Sequence, residues 1–199
     1  FSFTISHKEN AFSGVRNLKI SSMTLDYFIQ ELKKSEPSEK LMIENGFETL
    51  PTSIKKCYNP EKKNLINLDN SIDSNILSLL FNHYDVQYFR FGDFSFQNKI
   101  KENNGLNMFC FSSGTCLAFK YNDSEIVEYD GEEFSIGSYC AKDATSFLKA
   151  LLHVFKLQSL RFQGLIQVDD KNLNDEFFRK CVQEAGGEKY SSFFRQIIF

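Results

Sequence analysis

Apolar and polar positions change period several times along this chain. Near the start, Phe1, Phe3 and Ile5 alternate with Ser and Thr, the period of a half-buried strand. From Thr24 the period becomes helical: Leu25, Phe28, Ile29 and Leu32 fall at i, i+3, i+4 and i+7. Thr24 is placed to cap that helix, and Lys33 and Lys34 complement the negative end of its dipole. Ser38 can open a second short helix running to Asn45, with Gly46 as a left-handed stop. Pro51 suits the first turn of a third helix, which carries Ile54, Cys57 and Tyr58. Residues 59–70 are polar and loop-like, after which Ile72, Ile76, Leu79 and Leu80 keep helical spacing to about Phe81.

Beyond Phe81 the period drops to two. Residues 86–91, 107–111, 115–121, 125–129 and 132–136 are short, aromatic and β-branched, and turn residues separate them. Ser112-Ser113-Gly114, Asn122-Asp123-Ser124 and Asp130-Gly131 are hairpin links, so neighbours in sequence should be neighbours in space. Asp143 then caps a helix whose stripe is Ala144, Phe147, Leu148, Leu151, Leu152 and Phe155, and this helix is expected to lie across the sheet. Residues 160–168 suggest a further strand, Asn174 or Asp175 starts a last helix that Gly186-Gly187 stops, and residues 192–199 suggest a closing strand. The pattern predicts an α+β fold: one antiparallel meander sheet of about five to seven strands with helices packed on it, in a single domain covering 1–199.

Composition agrees with that fold. A chain of 199 residues buries about 70% of its unfolded surface, enough for one filled core, and 22 Phe with no Trp supply much of it. Apolar runs fall short of the roughly 18 residues a membrane span needs. The formal charge is −3, which argues against a protein built to grip nucleic-acid phosphates. That charge is uneven: residues 66–146 carry 5 basic and 12 acidic groups. Glu125, Glu128, Asp130, Glu132 and Glu133 fall within nine positions.

Little in the chain resembles a catalytic motif. Cys57, Cys110, Cys116, Cys140 and Cys181 are odd in number and mostly far apart, which predicts reduced thiols and, with the absence of a basic-then-apolar leader, a cytoplasmic protein. Cys110 and Cys116 sit in apolar runs and read as small hydrophobes. His7, His83 and His153 are scattered; a cysteine-dependent hydrolase would need one of them brought to a thiol by the fold. There is no CxxC or HExxH, and no Gly-rich loop leads from a strand into a helix, so neither a metal nor a cofactor is expected.

Five segments carry a resemblance. LPTSIKKCY (50–58), FRFGDFSF (89–96), MFCFSSGTCLAFKY (108–121), EIVEYDGEEF (125–134) and AKDATSFLKALL (141–152) are similar, in order, to elements of the SUKH superfamily. That group includes the yeast cell-wall-assembly regulator and many bacterial immunity proteins of polymorphic toxin systems. The likeness spans about residues 50–157, and none of it is a catalytic motif. It implies a cytosolic, non-enzymatic protein-binding module; the edges expected near 1–6 and 192–199 leave a monomer or weak homodimer. The leading reading is an immunity protein that neutralises a basic toxin domain, a nuclease among the candidates, without itself contacting nucleic acid or membrane. The expected contact surface is Glu125, Glu128, Asp130, Glu132 and Glu133, with Tyr121 and Tyr129 as anchors. A regulatory or scaffold protein of the same fold is the second reading.

Overall fold

The computed structural model describes residues 23–64, 75–120, 123–133 and 135–199. The expected strand at 1–6, Ile72 and Tyr121 lie outside the described residues. Helix α1 (Leu25–Lys34) starts where Thr24 Oγ1 accepts the Tyr27 N–H at 3.2 Å, and it buries Phe28, Ile29 and Leu32. Helix α2 (Glu39–Glu44) ends before Gly46, whose φ of 94° closes the turn. Helix α3 (Thr52–Tyr58) has Pro51 one residue before its first turn. Helix α4 (Ile76–His83) buries Leu77, Leu80 and Phe81 and leaves Leu79 outside, so its stripe is rotated from the one the spacing suggested.

Six strands form one antiparallel sheet in sequence order: β1 (Arg90–Phe91), β2 (Phe94–Asn103), β3 (Leu106–Phe111), β4 (Thr115–Lys120), β5 (Asp123–Asp130) and β6 (Ser135–Ala141). The meander is as expected, with two of its strands displaced and one, β2, added. The run 86–91 contributes only two paired residues, because the chain turns back at Gly92, which has φ 52°. Ten-residue β2 follows; its second half, Gln97–Asn103, has one apolar side chain and gave no alternation to read. Residues 131–133 form a turn, with β6 beginning at Ser135, so the strand expected at 132–136 starts three positions later.

Asp143 Oδ1 accepts the Ser146 N–H at 2.7 Å and opens α5 (Ala144–Phe162), which buries Phe147, Leu148, Leu151, Val154 and Phe155 against the sheet. The helix runs on through Phe162, which overturns the strand expected at 160–168. Helix α6 (Lys171–Ala185) is capped by Asp170, four residues before the expected Asn174, and stops at Gly186 with φ 121°. The last element is helix α7 (Ser191–Ile198), where a closing strand was expected. Phe193, Phe194 and Ile198 bury one face of it against β6 and α6. Short apolar runs do not by themselves distinguish strand from helix, and packing decides here.

Candidate functional site

Residues opposed across an antiparallel sheet point to the same side. One side holds Phe96, Cys110 and Leu117 in register, and these join α1, α4, α5 and α7 in a single core. The opposite side holds two rows, Phe111–Cys116–Tyr129–Ile136 and Met108–Ala118–Val127–Tyr139. All eight side chains are apolar or aromatic and stand apart from the main core cluster; Cys116, Ala118 and Val127 are buried beneath their neighbours, and the other five reach solvent. Ile136 and Tyr139 are 44% and 36% exposed. Two lysines lie over this face: Lys101 Nζ is 5.9 Å from the Phe111 ring centre, and Lys189 Nζ is 4.1 Å from that of Tyr139. A depression of about 410 Å³ opens beside the first row, lined by Leu106, Met108, Phe111, Cys116, Tyr129 and Glu132 among others.

The five acidic residues do not form one patch. Glu125 faces outward, but Lys189 Nζ and Tyr190 Oη both donate to its Oε1 at 2.6 Å. Those two hydrogen bonds, the lysine's first, hold its carboxyl below the usual range. Glu128 turns inward beside Leu117 and is 9% exposed. Ser138 Oγ donates to one carboxylate oxygen at 2.7 Å and Thr115 Oγ1 to the other at 3.2 Å. It is therefore a buried member of the sheet, whereas the sequence reading had it on the surface. Asp130 Oδ1 accepts the Glu132 and Glu133 N–H groups at 2.8 and 3.0 Å, which shapes the β5–β6 turn. Only Glu132 and Glu133 of the five project fully into solvent, and Glu132 lines the rim of the depression. Tyr129 is half-buried in the first apolar row. Lys189 and Tyr190 went unnoticed in the sequence, because they meet Glu125 from 64 and 65 positions away.

All five cysteines are free and buried. Burial pushes each thiol up, Cys57 to about 12 and Cys110 and Cys140 well above the ordinary value. A thiolate nucleophile is thus disfavoured at neutral pH, which weighs against the cysteine-hydrolase reading. Among the described residues no group of three or more His, Cys, Asp and Glu is placed to hold a metal ion, and no helix is long and apolar enough to cross a membrane.

His153 lies half-buried on α5. Burial lowers its pKa; Glu184 opposes that shift, and Lys180 and Lys156 add to it. Above pH 6.5 the side chain is neutral in both folded and unfolded chains. As pH falls through 6.5 the unfolded chain takes up the proton first, so stability should drop. His153→Gln should flatten this part of the profile. Urea midpoints measured across the acid range check this, and parallel profiles for the two proteins would refute it.

No protein-family model matches the chain, and neither does any curated protein or solved structure.

Proposed function

We propose that this chain is a non-catalytic protein-binding module whose contact surface is the outer face of the sheet. The observation that carries the reading is the pair of apolar rows from Phe111 to Ile136 and from Met108 to Tyr139 on the side of the sheet away from the main core cluster, where Met108, Phe111, Tyr129, Ile136 and Tyr139 reach solvent over buried Cys116, Ala118 and Val127. Apolar side chains gathered on the sheet face opposite the core, with polar groups at the margin, have the composition of a protein contact. Tyr129 is the central anchor, since a rigid aromatic gives large contact area at small entropic cost.

The rim indicates the partner's chemistry. Glu132 and Glu133 stand exposed at one end, on a turn that Asp130 fixes, and they favour a basic partner by steering its approach. The resemblance to SUKH immunity proteins points the same way, toward a basic toxin domain bound in the cytosol. The acidic contribution comes from this turn, because Glu125 and Glu128 are engaged within the fold.

A photo-crosslinking residue at Ile136, compared with one at exposed Val168 on the helical side, tests the proposal. The expected result is one basic protein captured from the native cell at position 136 alone. With that protein purified, Glu132→Lys/Glu133→Lys should weaken binding about tenfold, chiefly through a slower, less salt-sensitive association. Equal capture at both positions, an acidic partner, or an affinity indifferent to the charge reversal would overturn it.

A further inference from the structure

A second cavity, of about 420 Å³, opens on the core side of the sheet between α4 and strands β2 to β4. It lies on the opposite side of the sheet from the outer rows, one register position from Met108 and Ala118, and takes no part in the proposed protein contact. Two polar side chains stand out in its wall. Ser78 on α4 is 6% exposed and Asn107 on β3 is 8% exposed, and neither side chain hydrogen-bonds any described residue. Their polar atoms are not sealed in the core, so they reach solvent through this opening, where a ligand can meet them. Here both open onto the same space.

The rest of the wall shows what would satisfy them. Half-buried Asn82 from α4 and exposed Asn98 from β2 also line it, so three asparagines from three elements border one volume. Each amide offers a donor and an acceptor side by side, as vicinal hydroxyls do. Phe119, across the strand pair from Asn107, and Ile100 supply apolar wall suited to ring C–H groups. The half-buried cation of this wall is already committed: Lys63 Nζ donates to the carbonyls of Phe81 and Asn98 at 2.7 and 3.0 Å. The exposed charges at the mouth, Lys99 and Glu102, offset each other. Phe81 and Phe119 are each 3% exposed, so neither offers an open ring face on which a base could stack.

We propose that this cavity binds a small, neutral, hydroxyl-rich molecule of the sugar or polyol class, with Ser78, Asn82, Asn98 and Asn107 as its hydrogen-bonding groups. The volume lies within the range of small-molecule sites, and a ligand this small and polar binds at about millimolar strength.

The test is an NMR titration of the full chain, following the side-chain amide signals of Asn82, Asn98 and Asn107. The probes are methyl glucoside, methyl mannoside, N-acetylglucosamine and myo-inositol, with inorganic phosphate and uridine as an anionic and a base-stacking comparison. At least one sugar or polyol should shift these amides saturably, while phosphate and uridine should not. Asn107→Leu should abolish the shifts by removing one of the cavity's hydrogen-bonding groups. Asn82→Ala, at a less buried position, should weaken binding in a chain that stays folded. The proposal fails if no sugar or polyol shifts the amides, if only phosphate or uridine does, or if binding survives both substitutions.

Discussion

Replacing Phe91 with alanine is expected to lower the unfolding free energy by about 3–5 kcal/mol, the range for deleting a fully buried ring. Phe91 belongs to a strand of two residues, yet its ring centre lies 5.7 to 6.4 Å from those of Phe94, Phe96, Phe147, Phe155 and Phe193. These partners come from β2, α5 and α7, so one side chain joins the sheet to two helices. Four of the five contacts are edge-to-face, the arrangement aromatic quadrupoles favour. The cavity cannot close easily, because the neighbouring backbone is fixed. Gly92 sits at φ 52°, and a Cβ there would meet Ile197 Cγ2 at 3.2 Å. For a chain of this size the loss corresponds to about 6–20 °C in Tm. Phe111→Ala, on the half-buried outer face, should cost about 1 kcal/mol. Chemical denaturation of both variants checks the contrast, and equal losses would show that Phe91 is not the centre of the core.

The same ring cluster explains which parts of the fold were legible in sequence. Helices α1 and α5 were, because a capping side chain and a periodic stripe agree at each, and Thr24 and Asp143 both make the expected bond. Strand β2 was not, because most of its second half is polar on both faces and pairing alone defines it. Helix α7 was misread because Phe193-Phe194 and Ile197-Ile198 fit either period; its contact with β6 and α6 selects the helix.

The candidate site divides in the same way. Cys116, Leu117, Ala118 and Phe119 are consecutive, apolar and buried, so alternation cannot say which side of β4 the helices cover. Glu128 was partly legible: it lies two positions from Ile126, and a period of two sends both to the core side. Its acidic character obscured that signal. The bonds from Lys189 and Tyr190 to Glu125 had no local signature at all.

Arg161→Met is expected to destabilise the fold by roughly 2–4 kcal/mol, because two opposing effects meet there and the larger one is lost hydrogen bonding. Arg161 Nη2 donates at 2.8 Å to Asn174 Oδ1 and at 2.8 Å to the Ile198 carbonyl, tying α5 to the start of α6 and the end of α7. Its Nε is buried without a partner, and burial lowers its pKa. Removing the guanidinium relieves that desolvation, which taken alone would stabilise the chain. The relief is small, since Arg161 remains partly in contact with solvent. The loss is larger, since Asn174 is 2% exposed and its Oδ1 would be stranded, while Ile198 is 2% exposed at the end of a helix.

If stranding is the main cost, removing the acceptor as well should recover part of it. Asn174→Leu alone should also destabilise, since it leaves the Val168 carbonyl without its Nδ2 donor at 2.8 Å. The double variant Arg161→Met/Asn174→Leu should then be less destabilised than the two singles summed, by about 1 kcal/mol or more. Strictly additive losses would mean that Arg161 acts through its aliphatic stem and that the bridge to Asn174 contributes nothing.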